Sequence, residues 1–158
     1  TLTWTQGAGG CSGSTDDVIV KFNVPVESMS QDTDTYIWGG LTNTEWTTAA
    51  NWYKWDGSRW AIQSTVYPSS TSKVHYLSNG NAGVCVSSSN NGIIATSISS
   101  LNVEDGAEVN LGSQSISIGG DITNNNGTII AGSSTIELNG SSAQTIGGTG
   151  SATSCWNK

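Results

Sequence analysis

From residue 98 onward, apolar side chains stand singly or in alternating pairs, separated by Ser, Thr, Asn and Gly. With Ile98, Leu101, Val109, Ile116, Ile118, Ile122, Ile129, Ile136 and Leu138 as anchors, one fixed offset recurs. Ile98 to Ile118, Val109 to Ile129, Ile116 to Ile136 and Ile118 to Leu138 are each twenty residues apart, and Leu101 to Ile122 twenty-one. Polar positions follow the same offset, since "GSQSISIGG" at 112–120 lies over "GSSTIELNG" at 132–140. Alternation with period two predicts strands, and a period of about twenty signals a repeat architecture. Three short strands per twenty residues, each turning at Gly or Asn, describe one coil of a right-handed parallel β-helix. The nine anchors are its expected core, stacked in ladders from coil to coil.

The pattern changes upstream. Residues 1–24 alternate as two apolar runs around a Gly-rich connection, Leu2 and Trp4 on one side and Val18, Val20 and Phe22 on the other, which predicts a hairpin. Residues 25–35, "PVESMSQDTDT", suit a linker. Residues 36–82 concentrate aromatics, holding five of the seven tryptophans. Residues 83–158 hold the coils, and "SATSCWNK" reads as the start of another, so the chain is expected to be an excised piece. The fold class expected is all-β.

Composition agrees. The 25 Ser, 19 Thr, 14 Asn and 20 Gly favour short strands and tight turns over long helices. The formal charge of −7 disfavours nucleic acid and contains no basic stripe for an anionic membrane. No apolar run is long enough to span a bilayer, and the N-terminus has neither an initiator Met nor the plan of a signal peptide. Cys11, Cys85 and Cys155 leave at least one thiol without an internal partner, and with His75 they do not have the spacing of a zinc site.

The run "IWGGLTNTEWTTAANW", with Trp38, Gly39, Trp46, Ala50, Asn51 and Trp52, followed by "VYPSSTSKVHYL" and the repeats from residue 100, resembles the modules of large cell-surface proteins of Bacteroidetes. That resemblance implies an adhesin-like protein exported by the type IX secretion system, in some members serving gliding motility. Residues 1–24 are similar to the last two strands of an immunoglobulin-like module, which implies that Cys11 pairs with a cysteine further upstream. The insertion "YKWDGSRWAIQ" at 53–63 departs from the family pattern.

Each candidate site has two readings. Trp38, Trp46 and Trp52 are expected to plug the end of the solenoid, since the family motif repeats them as structural parts. Tyr53, Trp55 and Trp60 are the ligand-binding candidates, because indole and phenol faces stack on sugar rings while neighbouring polar groups take hydroxyl hydrogen bonds. Asp32 and Asp34 are the calcium candidates, with a solvated turn as the alternative. Otherwise no cofactor is expected. Asp121 and Glu137, sixteen residues apart, do not share a twenty-residue ladder as a glycosidase pair would require, and no catalytic residue is identified. His75, in the alternating "KVHYL", is expected to face outward or pack in the cap, and "GGTGSATS" lacks the lysine of a phosphate-binding loop. The function expected is a non-catalytic segment of a secreted surface adhesin or filament, giving length and a binding surface. A carbohydrate-binding module is the alternative, and a polysaccharide-cleaving β-helix enzyme comes third. The partners expected are other modules of the same chain, surface glycans or the secretion machinery.

Overall fold

The computed structural model describes residues 31–78, 97–113 and 115–149. The expected hairpin at 1–24, most of the linker and all three cysteines lie outside the described residues, as do the start of the third zone at 83–96 and the end of the chain from 150. The described residues are essentially all-β. Eleven strands and one 3-10 turn follow in chain order: β1 (Thr35–Trp38), the turn Ala49–Asn51, β2 (Trp52–Trp55), β3 (Trp60–Ile62), β4 (Lys73–Tyr76), β5 (Ser100–Val103), β6 (Glu108–Asn110), β7 (Ser115–Ile118), β8 (Ile122–Asn124), β9 (Thr128–Ile130), β10 (Thr135–Leu138) and β11 (Ile146–Gly147).

They assemble into one seven-stranded sheet in the order β11-β8-β5-β4-β1-β2-β3, and two pairs, β6 with β9 and β7 with β10. Only the contacts of β2 with β1 and β3 are antiparallel; every other strand pairing is parallel. From β5 to β11 the chain visits the three sheets in a fixed rotation, so each strand from β8 on lies against the one three strands earlier.

The register is the one that the apolar spacing gives. Val109 pairs with Ile129, Ile116 with Ile136, Ile118 with Leu138 and Leu101 with Ile122, while Ile98 bridges to Ile118. Side chains that pair in this way point to the same face, because successive residues of a strand alternate between faces. Ile98, Leu101, Val109, Ile116, Ile118, Ile122 and Ile129 are buried, and Ile136 packs against them half-buried. Leu138 corrects the expected core list. It is 39% exposed, because β10 pairs only with β7 among the described residues and one side of its ladder stays open. Val103 and Leu111, absent from the anchors, are fully buried as alternating partners of Leu101 and Val109.

Tight turns keep this register. Gly112 and Gly132 both take positive φ, at 61° and 59°, and stack directly. A Cβ on Gly132 would stand 2.2 Å from the Gly112 carbonyl oxygen, so the corner admits only glycine.

Position in the stack sets the cost of truncation. Ile118→Ala empties a site packed on both sides and is expected to lower stability by about 2–5 kcal/mol, whereas Leu138→Ala at the open side is expected to cost about 1 kcal/mol or less. Urea denaturation midpoints of the two variants check this ordering, and equal losses would contradict it.

Candidate functional site

The aromatic segment is built on β1, β2 and β3. Trp38 and Trp52 are register partners on β1 and β2, and both indoles face the same side as Tyr36. Trp52 is the centre, with ring centroids 4.8 Å from Trp38, 4.6 Å from Trp46 and 6.3 Å from Tyr36, all edge-to-face. Trp38 stacks at 6.0 Å on Tyr76 of β4. These rings are buried and continuous with the aliphatic core, including Val74, Leu101 and Val103. Their polar ends are satisfied locally: Trp52 Nε1 donates to the Trp46 carbonyl at 2.8 Å and Trp46 Nε1 to that of Pro68 at 3.3 Å. Edge-to-face packing adds to simple burial because the positive ring edge meets the negative face.

Asn51 holds the loop that carries Trp46. Its Oδ1 accepts from the backbone N–H of Thr42 and Asn43, and its Nδ2 donates to Asn43 Oδ1 and the Glu45 carbonyl. Its own carbonyl accepts from Gly39 N and Gly40 N, at 2.7 and 3.2 Å. The side-chain amide is fully buried with its donors and acceptor all used. The apolar pattern of the sequence does not register this role of Asn51. The signal available was an asparagine beside a tryptophan, after a Gly-Gly step whose amides need an acceptor.

Tyr53, Trp55 and Trp60 do not form one surface. Tyr53 is buried, and its ring lies over Gly39, where a Cβ would come within 2.8 Å of Cε2. That corrects its place among the ligand-binding candidates. Trp55 and Trp60 face each other across the hairpin with centroids 5.3 Å apart at 64°, both half-buried. Hydrogen bonds from Asp56 N to Arg59 O and from Gln63 N to Trp52 O place this pair at a non-hydrogen-bonded position, where cross-strand side chains come closest. The pair therefore stabilises the hairpin as well as lining its outer surface. Ile62, the cross-strand neighbour of Tyr53, is 54% exposed beside it.

The turn between them is fixed by Asp56, whose Oδ1 accepts from Ser58 N, Arg59 N and Ser58 Oγ at 2.9–3.0 Å. Hydrogen bonds from the Arg59 and Ser58 backbones hold its carboxyl down at about 2. Arg59 lies 3.5 Å away with its side chain 80% exposed.

Of the two calcium candidates, Asp32 has its carboxylate engaged, while Asp34 enters these bonds through its backbone. Asp32 Oδ1 accepts from Asp34 N and Thr35 Oγ1, and its Oδ2 meets the Lys73 ammonium. A calcium ion at Asp32 would have to compete with the Lys73 ammonium for the same oxygen. Among the described residues no three of His, Cys, Asp and Glu are grouped to hold a metal. Asp121 and Glu137 bind different partners, Thr145 N and Ser117 Oγ.

His75 is buried on β4, with Ile37 of β1 and Asn102 of β5 as register partners. Its Nδ1 and the Asn102 Oδ1 are buried without hydrogen-bond partners. Desolvation holds its pKa down at about 4; the Lys73 charge adds to this and Asp32 opposes it.

Two outcomes follow from this geometry. Asn51→Ala strands several buried backbone groups and is expected to cost roughly 2–4 kcal/mol, with loss of Trp fluorescence structure before the aliphatic ladders melt. For His75, the unfolded chain binds a proton below about 6.5 while the folded one resists it down to about 4. Its contribution to stability is therefore full above pH 6.5, falls as pH drops through that window by on the order of 3 kcal/mol, and is level below. Stability of His75→Phe measured between pH 6.5 and 4.5 should decline less than that of the parent chain.

Comparison of the chain with protein-family models, with curated proteins and with solved structures returns no match, so its function is argued from this geometry.

Proposed function

We propose that the chain is a non-catalytic segment of a secreted bacterial surface adhesin or filament, and that its repeats wind as a right-handed parallel β-helix closed at one end by the aromatic strands. The observation that carries this reading is the parallel register at a fixed offset, in which each pass of the chain lays one strand on each of three sheets. Parallel crossovers are right-handed in nearly all cases, which supports the hand. Such a stack grows by about 4.8 Å for each added coil, so it converts residues into length with few apolar side chains.

The charged groups support a structural role. Asp32, Asp56, Glu104, Asp105, Asp121 and Glu137 each take a turn amide, a lysine or a stacked polar side chain as partner. None is held near a second carboxylate by these bonds. The similarity of "IWGGLTNTEWTTAANW" to Bacteroidetes surface modules carries the proposals of export through the type IX system, a place on the cell surface and a role in attachment or gliding. Neighbouring modules of the parent chain are the partners this reading implies.

A second reading, glycan binding, rests on Trp55 and Trp60, which stay half-exposed beside Arg59 while Trp38, Trp46 and Trp52 are buried. It uses those two residues without Tyr53.

Duplicating residues 115–134 tests the first reading. The longer chain is expected to fold with the same far-ultraviolet spectrum and to gain about one coil rise in length by small-angle scattering, whereas duplicating half that segment should abolish folding. Equal tolerance of both insertions would defeat it. Binding to a glycan array, lost on Trp60→Ala with the fold retained, would establish the second reading; an array with no positive sugar would remove it.

A further inference from the structure

Two corners of the stack use the dipeptide that is chemically least durable in proteins. In an Asn-Gly step the glycine nitrogen can lose its proton to solvent base and attack the asparagine Cγ. The N–Cγ bond forms, the Cγ–Nδ2 bond breaks, and Nδ2 leaves as ammonia after taking up a proton. Water then opens the resulting succinimide at either carbonyl, giving aspartate or isoaspartate. Isoaspartate adds a methylene to the backbone, which no strand register of this kind absorbs.

Asn126-Gly127 and Asn139-Gly140 are the Asn-Gly steps among the described residues, and the fold gives little freedom to replace them. Asn126 has φ 64°, the left-handed region that asparagine tolerates better than other side chains. A Cβ on Gly127 would meet Val103 Cγ1 at 2.5 Å and the Glu104 carbonyl at 2.7 Å, and one on Gly140 would lie 2.2 Å from the Gly119 carbonyl. The corners need glycine, and the left-handed backbone before Gly127 favours asparagine over most other side chains.

We infer that Asn124 and Gln144 guard these two steps against succinimide formation by holding the nucleophilic glycine amides. Gly127 N donates to Asn124 Oδ1 at 2.8 Å, and Gly140 N donates to Gln144 Oε1 at 2.8 Å. An amide proton held by a fixed acceptor is harder to remove, so less of the nucleophilic anion forms. Both guards are themselves anchored. Asn124 is buried on β8 facing the core, where Val103 stands in the strand below. The Gln144 amide donates to the carbonyls of Ile118 and Gly120, at 2.8 and 2.7 Å. At the first site the electrophile is held too, since Asn126 Nδ2 donates to Asp105 Oδ1. Two different side chains, from different positions in their turns, perform the same act at the two steps.

Mass-spectrometric peptide mapping after prolonged incubation in mildly alkaline buffer tests the inference. The folded chain is compared with unstructured peptides spanning residues 120–132 and 134–146, and folding of each variant is checked by circular dichroism. Both asparagines are expected to convert far more slowly in the folded chain than in the peptides. Gln144→Ala should accelerate conversion at Asn139 alone by about fivefold or more, and Asn124→Ala at Asn126 alone. Asn124→Asp, which keeps the acceptor oxygen, should leave Asn126 protected. The inference is overturned if the folded parent converts at either peptide's rate, if each alanine variant accelerates both sites equally, as general loosening would, or if neither changes its own site.

Discussion

The described structure depends on one constraint: β8, β9 and β10 must each meet the strand twenty or twenty-one residues earlier in an unshifted register. A slip of one residue would turn Ile116 and Ile118 to the solvent face and bring Ser115 and Ser117 inward. Only 35% of the chain is hydrophobic, so there is no surplus to cover such an error. In the stack, an inward aliphatic side chain touches the equivalent residue in the pass on either side, and each contributes about 1.5–3 kcal/mol through burial. Ile118 illustrates this, meeting Ile98 on one side and Leu138 on the other. Polar turns tolerate this economy only because the stacked corners supply backbone partners, as Ser133 N finds at the Gly112 carbonyl.

The aromatic strands solve a different problem at one end of the core. A parallel stack leaves an open strand edge and an exposed apolar end. Here β4 pairs in parallel with β1, and β1 then pairs antiparallel with β2, which changes the rule of assembly within one sheet. The sheet ends in β3, a strand of three residues, and short edge strands limit pairing with other chains. Large rings suit the core on this side because Trp46 enters from a loop, not a strand, and a loop needs a fixed point. Asn51 is that point: its buried amide is satisfied by the loop, and the loop is held by the amide. The edge-to-face contacts around Trp52 thus depend on a polar residue that the apolar pattern does not register.

Much of this was legible in the sequence, for physical reasons. The apolar ladders repeat at a fixed offset, and such an offset survives without coordinates, so the pairs read from Ile98 to Leu138 are the bridge partners in the structure. The turn glycines were legible for the same reason. Burial of individual residues was less so. Leu138 carries the ladder pattern yet lies at an open side, while Asn124 occupies an inward position that a search for aliphatic side chains passes over. The candidate site was read with less success because it depends on which face of a hairpin a side chain takes. Tyr53 and Trp55 share a face by alternation, but Gly39 leaves room into which the tyrosine ring packs. Asp32 looked like a free carboxylate because Lys73, forty-one residues later, is its partner.

Charge obeys the same stacking logic as the apolar residues. In a ladder, any side chain meets its equivalents at about the strand spacing of 4.8 Å, where two like charges repel by about 1 kcal/mol even in water. A chain with a formal charge of −7 can repeat only if its acids do not fall on one another. Glu104 stacks on Asn125 and Asp105 on Asn126, while Glu137 accepts from Ser117 and Glu108 pairs with Thr128. In each case a neutral side chain occupies the adjacent pass, and Asn125, Asn126 and Ser117 each donate a hydrogen bond to the carboxylate beside them. Perfect repetition of the sequence would destroy this arrangement by laying acid over acid. Pairing thus makes opposite demands on the two classes of residue: the aliphatic positions must meet their like, the charged ones must not, and a chain only 11% charged satisfies both together.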